Sequence, residues 1–298
     1  AFMLRMRVGD AVDLTVVSDQ DTFLFKPNTI YLPFGADEAS LRIRLAKPLH
    51  RRQIDFRPSR VRELDVDQQR VHLDDGTVLP YDRLVIGTGA TMRAAEIPGL
   101  DEHAASIWTP AGMRDVGERF TSAAERAARG EDVEVLFLVP PNNKCAGPLY
   151  ELVFMFETWL RRRGVRDRVG ITFSTYETSF IHAFGPRLHD VVVSEFAERG
   201  ILGRVGERVS TVDADVVHYE DGSSHPYDAL VAFPPYIAAT DYFGLPADER
   251  GFLSCDLDTR AVVGHPDIYA PGDAGDFPVK QAFLAFLQGD AAADHLAA

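Results

Sequence analysis

The chain repeats itself. Val71-His72-Leu73-Asp74-Asp75-Gly76 is followed by Pro80-Tyr81-Asp82-Arg83-Leu84-Val85, and Val217-His218-Tyr219-Glu220-Asp221-Gly222 by Pro226-Tyr227-Asp228-Ala229-Leu230-Val231. Val71 and Val217 lie 146 residues apart, and so do Asp82 and Asp228. Asp-Gly between alternating stretches signals a hairpin. Tyr-Asp then leads into a β-branched run that reads as a buried strand. Chance can produce one such hairpin, but two with the same internal spacing point to a duplicated domain.

An α/β pattern precedes each copy. Asp13 to Val17 reads as a continuous apolar strand of the buried, parallel kind, and Val133 to Val139 as another. After the latter, Pro140 to Gly147 is a loop, and a helix is predicted from Pro148 to Arg163. Leu149, Leu152, Val153, Phe156 and Leu160 share one helical face. Pro148 suits the first turn, Arg161 to Arg163 suit the negative end of the helix dipole, and Gly164 stops it. Ile171 to Ser174 continues as a strand. Each half therefore reads as strand-helix-strand followed by a β-meander, the plan of a doubly wound dinucleotide-binding domain. The expected fold class is α/β, with two such Rossmann-like domains in tandem, each carrying a meander.

With 298 residues and a hydrophobic fraction of 46%, the chain can bury a sizeable core. Its net charge of -14 argues against nucleic acid as a partner, since phosphate binding needs a basic footprint. Two cysteines, Cys145 and Cys255, do not make a disulfide framework and fit a reducing compartment. No run has the length of a membrane-spanning helix. Arg5 and Arg7 interrupt the opening apolar stretch, which is no signal peptide and reads as the end of a helix over Ala1 to Val8. The nine histidines lack metal-site spacing, so no metal is expected.

Two Gly-rich turns follow predicted strands. One is Leu84-Val85-Ile86-Gly87-Thr88-Gly89-Ala90, where glycine lets backbone approach a ligand. The other is Ile268-Tyr269-Ala270-Pro271-Gly272-Asp273, whose Asp273 also has the look of a helix N-cap. Ser18-Asp19 ends the first strand. An acidic group there binds ribose in adenine-dinucleotide folds, and the same pair also suits a plain turn. Cys145 sits just before a helix and beside Lys144, where positive potential favours a thiolate. A buried structural cysteine is the competing reading.

Together these segments resemble the sulfide:quinone oxidoreductase and flavocytochrome c sulfide dehydrogenase family, over essentially the whole chain. Tyr81 to Ala90 resembles the second FAD signature of the wider superfamily, and Ile268 to Asp273 the third. Pro-x-x-Lys-Cys-x-Gly-Pro-x-Tyr-Glu, over Pro141 to Glu151, resembles the redox-cysteine segment, and Phe233-Pro234-Pro235 and Ile171 to Glu177 fit as well. The resemblance implies FAD as cofactor and a discontinuous FAD domain, with bounds 1–107, 108–255 for the second domain, and 256–298. It implies Ser18, Asp19, Val61, Thr88, Gly89, Ala90, Gly272, Asp273 and Gln281 as cofactor-binding residues, and Cys145 and Lys280 as catalytic. Lys280, at a helix start, would sit near the flavin ring; a solvated helix start is the other reading. The implied reaction passes electrons from sulfide, or a related sulfur donor, through Cys145 and FAD to a quinone or a cytochrome.

Departures from the family accompany the match. The first Gly-rich FAD loop is expected about 20 residues before Ser18, upstream of Ala1. The second redox cysteine is expected beyond Ala298, which leaves Cys255 structural, and Trp108 stands where quinone-linked members have another cysteine. Pro140-Pro141 replaces the glycines of a pyridine-nucleotide loop and removes backbone donors. An NADH:quinone dehydrogenase of the type II kind and a non-catalytic flavoprotein scaffold are the alternative readings. The implied location is cytoplasmic or peripheral at the inner membrane surface. Membrane contact through a segment outside this chain, and a homo-oligomer, stay open.

Overall fold

The computed structural model describes residues 1–298. In chain order it runs α1 (Phe2–Val8), β1 (Thr15–Ser18), β2 (Asp55–Pro58) and β3 (Leu84–Val85). It continues β4 (Ala105–Ser106), α2 (Pro110–Ala128), β5 (Val133–Val139), α3 (Gly147–Arg162), β6 (Val169–Thr175), α4 (Pro186–Arg199), β7 (Leu202–Arg204) and β8 (Ala229–Ala232). It closes with β9 (His265–Tyr269) and α5 (Ala282–Ala297). Two compact units emerge. One comprises Ala1–Phe25, Arg42–Thr91 and Ile237–Ala298; the other comprises Lys26–Leu41 and Met92–Tyr236.

The second unit is a five-stranded parallel sheet in the order β4-β8-β5-β6-β7. β5 and β6 pair over seven residues, from Val133↔Val169 to Val139↔Thr175. Both run through the core: β5 is apolar on both faces apart from Glu134, and β6 alternates Val169, Ile171 and Phe173 with Gly170 and the buried hydroxyls of Thr172 and Ser174. Strand and helices meet through aromatic rings: Phe120 of α2 stacks on Phe156 of α3 at 4.0 Å between centroids, with Phe137 of β5 at 5.9 Å from each. The predicted face of α3 is buried as drawn, through Leu149, Leu152, Val153, Phe156 and Leu160. Thr109 caps α2 by accepting from Gly112 N–H at 3.1 Å, with Pro110 in the first turn.

Lys26–Leu41 belongs to this unit because of packing that sequence spacing does not encode. Phe34 lies 5.9 Å from Phe120 and 6.3 Å from Trp159, and Gly117 lets Pro33 come close enough that a Cβ there would sit 3.1 Å from it. The unit's outer bounds, at 92 and 236, also differ from the 108 and 255 drawn from sequence. Ile97, Leu100 and Ala104 share a core with Leu136, Val212 and Leu230. Past Tyr236 the chain hydrogen-bonds within the first unit, Ala238 N to Arg250 O and Leu253 N to Ala274 O, both at 3.0 Å.

The first unit follows the same plan with one strand fewer. Its meander, Val61–Asp65, Arg70–Leu73 and Val78–Pro80, matches Val209–Val212, Val216–Tyr219 and Ser224–Pro226, with its last two strands 146 residues ahead of theirs. β1 pairs with β2, and β9 with β3, all parallel. In the second unit β5 stands between β8 and β6. Their counterparts β3 and β1 share no strand between them and form separate ladders. This corrects an expectation. Val85 is 48% exposed and β1 is only half-buried, so neither is the buried strand its sequence suggests. Burial is conferred by neighbours on both edges, and here one edge of each is open. Arg5, by contrast, is buried and donates to the carbonyls of Gly9, Val12, Arg52 and Gln53, fastening α1 to the turn before β2.

Candidate functional site

In the first unit β3 and β9 lie side by side and parallel, with Ile268 opposite Leu84 and Tyr269 opposite Val85. Ile86 N–H donates to Tyr269 O at 2.7 Å and carries the pairing to the strand ends. The two Gly-rich turns therefore leave the sheet together at its carboxyl edge, the place where open α/β sheets take ligands. Gly89 (φ 76°) and Gly272 (φ 75°) both occupy the left-handed region that other residues avoid. Nothing lies within 4 Å of where a Gly89 side chain would begin, so the backbone there is bare. Gly272 N–H is held by Gln288 Oε1 of α5 at 2.9 Å.

Asp273 is half-buried in a single 3-10 turn, Gly272–Ala274; the long helix starts at Ala282 with Gln281 as N-cap, so the capping reading of Asp273 falls away. Lys280 is 3% exposed. Its ammonium donates to Gly275 O and lies 3.8 Å from the Phe252 ring centroid. The solvated-helix-start reading of Lys280 is thereby corrected: the fold buries it. Thr88 Oγ1 meets Tyr242 OH at 2.8 Å, and burial pushes the Tyr242 hydroxyl above its usual pKa. Tyr242 went unnoticed in the sequence because no motif surrounds it.

At the end of β1, Ser18 Oγ accepts from Gln20 N–H at 3.1 Å, which is the turn role. Asp19 lies 3.9 Å from Arg60, next to an exposed Val61. Cys255 is buried in this unit, and desolvation pushes its thiol up to about 11, outweighing the nearby Arg260 guanidinium that pulls it down.

The second unit holds Cys145. Asn143 is buried and organises the loop: its Nδ2 donates to Phe233 O at 2.8 Å, and its Oδ1 accepts from Cys145 N–H at 2.9 Å. Tyr176 OH donates to Asn143 O at 2.8 Å, and Tyr236 N–H to Asn142 O at 3.0 Å. The Pro140 to Gly147 loop is thus tied to the Phe233-Pro234-Pro235 turn, with Cys145 half-buried two residues before α3. Trp108 packs on Phe233 and Tyr236 at 5.9 and 5.3 Å, with Lys26 3.9 Å over its ring. Glu177, past the end of β6, is fully engaged: Oε2 accepts from Tyr150 OH and Thr175 Oγ1 at 2.9 Å each, and Oε1 from His182 N–H at 3.0 Å.

No family model matches the chain. Among curated proteins it is 29% identical over 242 residues to the sulfide-quinone reductase of Aquifex aeolicus, covering 80% of this chain and 54% of that protein. It is 25% identical over 294 residues to the mitochondrial sulfide:quinone oxidoreductase of Mus musculus, covering 94% and 64%. The X-ray structure of the Aquifex aeolicus sulfide:quinone oxidoreductase superposes with a TM-score of 0.86 at 24% identity, over 99% of this chain and 72% of that one. Over most of its length the chain is thus similar to sulfide:quinone oxidoreductases, in sequence and in fold. It spans 54% and 64% of the length of these two curated relatives.

The two cysteines differ sharply in their surroundings. At pH 8 a thiol with a pKa of about 11 is only about 0.1% thiolate, and the thiolate is the nucleophile. Iodoacetamide at pH 8 is therefore expected to alkylate half-buried Cys145 at least about 100-fold faster than buried Cys255. Peptide mapping by mass spectrometry measures both rates, and equal labelling would refute the contrast.

Proposed function

We propose that this chain supplies the flavin-binding and sulfur-handling parts of an FAD-dependent oxidoreductase. It oxidises sulfide or a related sulfur donor through Cys145 and delivers electrons through FAD to a quinone. The observation that carries the reading is the pairing of two Gly-rich turns at one sheet edge, open above Gly89, with the buried cation Lys280 beside Gly275. The donor set fits FAD. Thr88, Gly89, Ala90, Gly272 and Asp273 would hold it, Gln281 and Lys280 would border it, and Ser18, Asp19 and Val61 would take its adenosine end. When bound, FAD supplies two-electron acceptance.

The chain's own residues do the rest. The amino end of α3 and Lys144 favour negative charge on the Cys145 sulfur. Asn143 fixes the loop so that the thiolate need not reorganise. With Cys145 held in a disulfide to a second cysteine, a sulfur donor attacks the partner sulfur, the S–S bond breaks, and Cys145 leaves as the thiolate that the helix end stabilises, its electron pair being what FAD would accept. Cys255, buried and protonated at neutral pH, is unsuited to be its partner. Delivery to quinone, a lipid-phase carrier, places the protein at a membrane surface; no helix is long and apolar enough to cross one.

Pyridine nucleotide is disfavoured twice. Pro140 and Pro141 remove donors from the phosphate loop, and both carboxylate oxygens of Glu177 already accept hydrogen bonds from protein. The test is spectroscopic. Protein mixed with FAD and desalted is expected to stay yellow, to bleach on anaerobic addition of sulfide, and to be unaffected by NADH. Protein that remains colourless, or that bleaches with NADH and not with sulfide, would reject the proposal.

A further inference from the structure

Beneath the turn that carries Asp273 lies a second buried cation. Arg260 is 1% exposed and sits at φ 62°, a left-handed position uncommon for any residue with a side chain. Its backbone is pinned, N–H to Asp256 O at 3.0 Å and C=O from Ala270 N–H at 2.9 Å. The guanidinium is poorly served. Nη1 reaches Asp256 O at 3.4 Å, while Nε and Nη2 are buried with no hydrogen-bond partner. The nearest carboxylate oxygen, Asp276 Oδ1, stands 3.5 Å from Nη2, and the Asp256 carboxylate is committed to Asp258 and Thr259.

Gly275 is where these groups meet. A Cβ there would come 2.4 Å from Arg260 Nη2 and 3.3 Å from Cys255 Sγ, and Gly275 O takes the Lys280 ammonium. Two buried cations thus close on one residue of the loop: Lys280 bonds the Gly275 carbonyl and the Arg260 guanidinium packs against the Gly275 backbone, with the Asp276 carboxylate 3.5 Å from Arg260 Nη2. Burying charge without full compensation is costly, and a fold that keeps it here favours negative charge at this loop.

We infer that Arg260 is a positioning residue of the cofactor loop, holding Gly275 and Asp276 from below and, with Lys280, biasing the site toward the anionic, reduced form of bound FAD. The inference rests on the flavin reading above. Losing one unit charge from a site with an effective dielectric of about 20 changes such an equilibrium roughly tenfold. For a two-electron couple tenfold is about 30 mV.

The experiment compares FAD-loaded wild type, Arg260→Met, Arg260→Lys and Asp276→Asn, poised against a redox dye. Arg260→Met is expected to shift the reduced-to-oxidised ratio about tenfold toward oxidised, Arg260→Lys to stay within about twofold of wild type, and Asp276→Asn to shift severalfold toward reduced. A purely structural role moves Arg260→Met and Asp276→Asn the same way, and that result, or no shift in either, overturns the inference. If Arg260→Met does not fold, the sign of the Asp276→Asn shift decides alone. If wild type takes up no FAD, the flavin reading fails first. Hydrogen exchange then tests the grip without cofactor: the Gly275 and Asp276 amides are expected to exchange at least about tenfold faster in Arg260→Lys or Arg260→Met, and unchanged protection overturns it.

Discussion

Replacing Cys145 with alanine is expected to cut sulfide-driven reduction of bound FAD by at least about 10³-fold while leaving FAD binding unchanged, because removing the nucleophile of a covalent relay removes the path itself. The asymmetry follows from the division of labour in the chain. Thr88 to Ala90, Gly272 and Asp273 belong to one compact unit, and Cys145 belongs to the other. Asn143 holds the loop through the Cys145 backbone N–H, which alanine retains. Stopped-flow absorbance of wild type and Cys145→Ala under anaerobic sulfide measures the ratio. An equal rate in the variant would mean that sulfide reduces the flavin directly and would end the sulfur-relay proposal. Asn143→Ala is the informative companion, since it frees Phe233 O and Cys145 N–H together and should slow the same step with the thiol still present.

How much of this could be read from residues alone depends on what each feature requires. The meander strands sit where the 146-residue repeat put them, because Asp-Gly turns and alternation are local signals. β5 spans seven residues, apolar at all but Glu134, a run that marks a central strand. The motif positions also landed where they were expected, at strand ends and before α3. What the sequence withheld is everything set by neighbours. Leu84-Val85 and Leu230-Val231 look alike, yet β8 has partners on both edges and β3 on one, so only β8 is buried. Lys280 reads as a surface lysine until Phe252 and Gly275 close over it. Arg260 and Tyr242 carry no motif. Only their burial, unusual for arginine, singles them out, and burial is not written in a single sequence. Glu157 belongs to the same class.

Glu157→Gln is expected to destabilise the second unit by about 3–5 kcal/mol, the usual cost of removing one partner from a buried charge network. The Glu157 side chain on α3 has no exposed surface. Oε1 accepts from Arg161 at 3.0 and 2.5 Å and lies 3.7 Å from Arg166, and Oε2 accepts from Arg199 of α4 at 3.0 Å. Burial pushes this carboxyl up, but the hydrogen bonds from Arg161 and Arg199 outweigh it and hold the group below its usual range. A depressed pKa makes the contribution full above the unfolded carboxyl value near 4.3 and lost as pH falls through the folded value. The glutamine amide keeps the shape and removes the charge, leaving three guanidinium groups facing one another, with Arg166 also committed to the carbonyls of Val169, Arg199 and Gly200. Both tryptophans, Trp108 and Trp159, lie in this unit, so urea unfolding followed by their fluorescence reports on it selectively. The difference between wild type and Glu157→Gln is expected to be full at neutral pH and to shrink only as pH falls below about 4.3. A variant as stable as wild type at pH 7 would show that the three arginines are satisfied by solvent and that the buried carboxylate is dispensable to the joint between α3 and α4.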